Sequence, residues 1–248
     1  MSLGLGDRSA AGLRLQDFMN KALLLLPAFP ALLMLALPAA VRAGDAATVR
    51  PELFKGLKLV YEDDFNGALN TEFWEVRQSS TWAVKDGVLH GSESPKEFQA
   101  KKLASNDPSH AGLKPVIWLR KVPENFVCSM RVRHDARAYQ RGFPLLDIGH
   151  HIHTLVFSEK ATTLTIKKNV ESSPVEKPLF ALNQWHEVVI EARKGMLLLK
   201  VDGEKHVFES SNIDTTGHAQ IDFKGVDGGV FQIDSIRLWE GLQNPAGR

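Results

Sequence analysis

Beyond residue 57, apolar and polar positions alternate with a period of two almost without interruption, and no long stretch carries the 3.6-residue period of an amphipathic helix. Alternation gives each segment one face for a core and one for water, so the chain reads as all-β. Strands are expected at 57–65, 82–90, 116–122, 126–134, 145–157, 163–168, 186–193, 196–201, 205–209, 220–224 and 230–239. Lys85-Asp86-Gly87, Lys194-Gly195, Asp202-Gly203 and Asp227-Gly228-Gly229 lie within or between these runs, where glycine supplies the positive φ of tight hairpins. Many strands joined by short turns pair into a two-sheet antiparallel β-sandwich. Residues 93–114, with Pro95, Pro108 and few apolar side chains, read as a long surface loop.

The N-terminal region follows another pattern. Met19, Asn20 and Lys21 form a short cationic start, residues 22–37 are apolar, Pro38 ends the run, and Val41-Arg42-Ala43 sets a small residue before Gly44. This is the layout of a cleaved export signal. The run contains Pro27 and Pro30 and falls short of the about 20 apolar residues that span a membrane. The expected organisation is a leader and cleaved signal peptide over 1–43, an N-terminal linker over 44–56, one domain over 57–241 and a disordered tail over 242–248. The product is expected to be a soluble monomer, periplasmic or extracellular, with no membrane insertion after cleavage. Residues 1–43 carry Arg8, Arg14, Lys21 and Arg42 against Asp7 and Asp17, so the formal charge of +1 becomes about −1 in the mature chain. That balance argues against nucleic acid or an anionic membrane as the main partner, since both need a basic patch. Cys128, the single cysteine, stands in an alternating apolar segment and is expected as a buried thiol.

The densest chemistry is residues 143–153, FPLLDIGHHIH, with one carboxylate and three of the chain's nine histidines. Imidazole exchanges protons and binds metals near neutral pH, so this run is the candidate site. In one continuous strand Asp147, His151 and His153 would share a face, and a bulge near Gly149 would bring His150 round to join them. An Asp bonded to a His orients the ring as a general acid or base requires. Arg141 and Arg133 are candidates to hold an anionic sugar group or a developing oxyanion. Tyr139 and Trp118 are candidates to stack on the C–H face of a pyranose. For each of these the alternative is an ordinary solvated strand or loop side chain.

Three separated segments resemble the concanavalin A-like jelly roll of laminarinase-type glycoside hydrolases: LVYEDDFNGALNTEFW (59–74), NQWHEVVIEARKGMLLLKVDGEKHVF (183–208) and FQIDSIRLWE (231–240). They occur in the family's order and frame nearly the whole mature chain. The family's catalytic signature is aromatic-Pro followed by E-x-D-x-x-E, with a glutamate nucleophile, an aspartate helper and a glutamate acid/base. Its counterpart here is FPLLDIGH, 143–150, with Leu145 at the nucleophile position, Asp147 at the helper and His150 at the acid/base. Leucine cannot attack an anomeric carbon, so the resemblance implies the fold without the double-displacement reaction. WAVKDGVLHG, 82–91, resembles a hairpin of secreted bacterial proteins of the 3-keto-disaccharide hydrolase type, which implies a glycan-related hydrolytic role without two glutamates. Their Asn-Ser-Gly loop is not evident here. His151-Ile152-His153 is similar to the Gln-Ile-His motif of jelly-roll alginate lyases, whose arginine-rich partner motif is missing. Glu62, Asp63, Asp64 and Asp234 resemble the calcium position that ties the first and last strands in many such jelly rolls, which implies a structural calcium ion, with simple solvated carboxylates as the alternative. The expectation is therefore a glycan- or glycoside-binding jelly roll, either a hydrolase using an Asp/His site on the concave sheet or a non-catalytic carbohydrate-binding or adhesion module.

Overall fold

A computed structural model of the chain describes residues 49–243, apart from 107, 167–170 and 218 and the side chains of 171–173. The segment expected as an export signal, the start of the expected linker and the last five residues lie outside the described residues. Among those described, no helix is long and apolar enough to cross a membrane.

Fifteen strands follow one another: β1 (Gly56–Asp63), β2 (Trp74–Val76), β3 (Thr81–Lys85), β4 (Val88–Ser92), β5 (Val116–Arg120), β6 (Phe126–Asp135), β7 (Leu145–Ile148), β8 (His153–Phe157), β9 (Thr162–Ile166), β10 (Glu171–Val175), β11 (Trp185–Arg193), β12 (Met196–Val201), β13 (Glu204–Glu209), β14 (Gln220–Lys224) and β15 (Val230–Leu242). They form two antiparallel sheets. One has eight strands in the order β13-β12-β11-β6-β15-β4-β3, with β1 also paired to β15; the other has seven, β10-β9-β8-β7-β14-β5-β2. The alternation does what it predicts. Phe126, Cys128, Met130 and Val132 of β6 face Leu146, Ile148, Ile221 and Phe223 of the opposing sheet across one continuous core. Cys128 is fully buried, and burial pushes its thiol pKa up.

Three local expectations change. The run 82–90 is a hairpin, turning at Asp86 and Gly87, both with positive φ. The run 145–157 is likewise two strands, β7 and β8, joined by a turn over 149–152 in which Gly149 (φ 63°) and His151 (φ 66°) are left-handed. The 93–114 loop contains a helix, α1 (Lys96–Leu103), whose only buried residue is Gln99; its few apolar residues, Phe98, Ala100 and Leu103, do not gather on one face, so there is no hydrophobic period to read. The strands β2 and β10 are additional. Ahead of β1, the backbone N–H groups of Glu52 and Leu53 donate to the buried Glu191 carboxylate at 2.8–3.0 Å, which pins this segment to the eight-stranded sheet.

Candidate functional site

The site grows from one row of cross-strand neighbours on the outer face of the seven-stranded sheet. Thr154 of β8, Asp147 of β7, Asp222 of β14, Trp118 of β5 and Glu75 of β2 stand opposite one another in register. Each alternates with core residues of its own strand, so all five point away from the core. The next row holds Leu145 and Lys224, also directly opposite.

Asp147 and Asp222 are fully buried, and Lys224 is nearly so. Lys224 Nζ lies 2.6 Å from Asp147 and 3.4 Å from Asp222, so one ammonium serves two carboxylates. Asp147 also accepts from the Thr154 hydroxyl. Asp222 accepts from Gln220 Nε2 at 2.6 Å. The 149–152 turn lays two imidazoles over this layer: His150 Nδ1 is 2.9 Å from Asp222, and His151 Nδ1 is 3.2 Å from Asp147. Burial alone would raise the Asp147 pKa, but His151, Lys224 and Thr154 together outweigh it and hold the carboxyl down at about 2.

A carboxylate only accepts hydrogen bonds, so each imidazole donates through Nδ1, and its Nε2 is left for other partners. The two side chains are 50% and 46% exposed, which leaves that edge open to a ligand. The rings are 4.3 Å apart by centroid, close enough to serve one substrate. A non-glycine residue at φ 66° is conformational strain of the sort that collects at functional sites.

Beside the imidazoles, the Trp118 ring is 4.9 Å from His150, with the Arg77 guanidinium 3.9 Å over its face. Arg77 and Arg120 both pair with Glu75. Of the sequence candidates, Asp147, His150, His151 and Trp118 come together. The Trp118 ring, expected to stack on a sugar, carries the Arg77 guanidinium over a face and has His150 tilted beside it.

The others go elsewhere. His153 pairs in register with core Ile148 and is fully buried, its Nε2 2.8 Å from the Asp214 carbonyl; the turn reverses the chain and puts Thr154, not His153, on the Asp147 face. Arg141 is exposed in the turn before Pro144, at the other end of β7 from the imidazoles. Arg133 alternates with core Val132 on β6 and pairs with Asp135, so it lies on the outer face of the eight-stranded sheet, across the core from Asp147. Tyr139 lines a separate cleft. The acidic residues expected at a calcium ion have other partners: Asp234, displaced at a bulge in β15, pairs with Arg131, and Glu62 pairs with Arg237 at 3.4 Å. Asp63 accepts from Tyr61 and the Phe65 N–H, and Asp64 from Asn66. Among the described residues no three His, Cys, Asp or Glu side chains gather as a metal-binding group. Sequence reasoning missed Asp222 and Lys224, whose signal was only two charges at the polar positions of QIDFK, 220–224.

No family model and no curated protein matches the sequence. Solved structures do match in fold. A non-specific endo-β-1,3(4)-glucanase of family GH16, SCLam, aligns with TM-score 0.51 and 16% identity over 77% of this chain and 94% of that one. An endo-β-galactosidase from Clostridium perfringens that releases GlcNAcα1-4Gal aligns with TM-score 0.56 and 14% identity, over 79% and 66%. A lichenase derived from a mouse hindgut metagenome aligns with TM-score 0.51 and 11% identity, over 73% and 99%. At these identities the likeness is one of fold, and the fold is the concanavalin A-like jelly roll.

Proposed function

We propose that the protein is an exported glycan-binding jelly roll that cleaves a glycoside at the outer face of the seven-stranded sheet, with His150 and His151 as its acid/base pair. One observation carries this: two half-exposed imidazoles, side by side, each held through Nδ1 by a fully buried carboxylate. That arrangement fixes tautomer and ring orientation, which a general base needs and a solvated strand face lacks. The endo-glycanase neighbours support a carbohydrate as ligand by analogy of fold.

Leu145, buried opposite Lys224, removes the nucleophile of the two-glutamate mechanism, so the chemistry must work by proton transfer. A 3-keto glycoside suits it. The ketone acidifies C2–H; one Nε2 takes that proton, the C–H electrons form the C1=C2 bond, and the C1–O bond breaks. The second imidazole, in its protonated form, gives its proton to the leaving oxygen. Addition of water to the resulting enone completes a net hydrolysis.

The test is a panel of glycosides, including 3-keto disaccharides, assayed for product with the parent protein and with Asp147→Asn. Cleavage of a member of the panel, slowed by roughly 10²-fold or more in the variant, is the expected result. Binding without turnover would mark a carbohydrate-binding module instead.

A further inference from the structure

A cleft also forms away from the imidazoles. It lies by the β8–β9 turn, at the other end of β8, and has a volume of about 690 Å³. Arg137, Tyr139, Glu159, Pro178, His186 and Asp202 are among its lining residues. Its walls are fastened to one another rather than to a ligand. His186 Nδ1 meets Asp202 at 2.7 Å, and His186 Nε2 accepts from the Ala181 N–H at 3.0 Å. The Tyr139 hydroxyl donates to the Phe180 carbonyl. The Asn183 amide bonds both the N–H and the carbonyl of Ala136 at 3.0–3.1 Å, and its own N–H donates to the His134 carbonyl at 2.7 Å. The cleft is therefore preformed, within the roughly 300–1,000 Å³ range of small-molecule sites, and ordering it costs a ligand little.

Two lining groups stand outside this lacework. Arg137 and Glu159 have no hydrogen-bond or ion-pair partner among the described residues, although they carry opposite charges and border the same cleft. A planar guanidinium donates in pairs and a carboxylate accepts in pairs. Vicinal hydroxyls of a sugar satisfy both at once, each being donor and acceptor, and the half-buried Tyr139 ring beside the exposed Pro178 supplies apolar surface for the C–H face of the ring. We infer that this cleft is a second, non-catalytic saccharide site, which binds a neutral glycan through Arg137 and Glu159 against Tyr139. The inference does not depend on the imidazoles performing catalysis. A zwitterion such as a peptide is the competing occupant, since it would also match one cation and one anion.

The test uses the full chain carrying His150→Ala and His151→Ala, which silences the outer-face site. Laminarihexaose, a β-1,3-linked glucose hexamer, and a β-1,4-linked galactose hexamer are titrated calorimetrically into this protein, and into it with Arg137→Ala, Glu159→Gln or Tyr139→Phe added. At least one hexamer is expected to bind, with affinity falling about tenfold or more, near 1.4 kcal/mol, in the Arg137 and Glu159 variants. Tyr139→Phe keeps the ring and should change affinity little. Unchanged melting temperatures show that the variants are folded. Equal affinity in the Arg137 and Glu159 variants, binding of neither hexamer, or displacement of the hexamer by glycylglycine would overturn the assignment. Failure of the catalytic proposal has another signature, in which binding here persists and the parent turns nothing over.

Discussion

Lys224 reaches Asp147 at 2.6 Å beneath the surface of the seven-stranded sheet, in a layer where both side chains are shut off from water. A buried carboxylate is costly unless its charge is matched, and here the match is an ammonium shared with Asp222. The same layer holds the two imidazoles above it through Asp147 and Asp222.

The Asp147 carboxyl, held at about 2 against an ordinary 3.8, makes stability depend on acid. A carboxyl with a depressed folded pKa contributes stability that is complete above its unfolded value and is lost as pH falls toward the folded one. Asp147→Asn should therefore lower stability at pH 7 by about 2 kcal/mol, with the difference shrinking between about pH 4 and pH 2. Denaturant unfolding across that range checks it; a gap that stays constant with pH contradicts it.

Lys224→Met leaves two buried carboxylates without their cation and should destabilise by about 3–5 kcal/mol, the cost of breaking a buried pair. Adding Asp147→Asn should recover part of the loss, because only one buried charge then remains uncompensated. Chemical denaturation of the two single variants and the double tests this, and strictly additive effects would show the groups to be uncoupled.

Much of the fold was legible because its signal is local. Alternating apolar positions and Asp-Gly or Lys-Gly turns located most of the strands, and the density of histidine in 143–153 singled out the candidate site. What failed needed information that alternation does not carry. Placing His153 required the length of the 149–152 turn, which sets which face the chain re-enters on. Asp222 and Lys224 join the candidate site only through the β7–β14 register, which pairs Asp222 with Asp147 and Lys224 with Leu145, 75 and 79 residues apart. Asp234 left the acidic group because core residues Ile233 and Ile236 are three apart, a spacing that forces a bulge between them.

His134 supplies a second pH response. It stacks on Phe231 with centroids 3.9 Å apart, and burial, with the charge of His186 adding to it, holds its pKa down at about 3. The unfolded chain takes up this proton near pH 6.5 while the folded chain does not, so stability falls as pH drops from about 6.5 toward 3, by at most about 1.4 kcal/mol per unit. His134→Phe should flatten that part of the stability curve, measured as melting temperature against pH. An unchanged slope would mean that His134 is not the group responsible.

Glu191→Gln replaces a buried carboxylate that accepts from Glu52 and Leu53 with an amide that accepts more weakly. Faster hydrogen exchange at those two amides, with the remaining core amides shielded as before, is expected at a cost of about 1–3 kcal/mol. Unaltered exchange there would show that other contacts hold the segment.

The most direct test of the proposed acid/base site is the initial rate of glycoside cleavage by the parent, by His150→Ala and His151→Ala, and by the control His90→Ala. His90 lies on β4 of the other sheet, beside Gln232. The account predicts cleavage by the parent and by the His90 variant at matching rates, and a loss of about 10²-fold or more in each of the other two. Equal rates in all four proteins, or no cleavage by the parent, would contradict it.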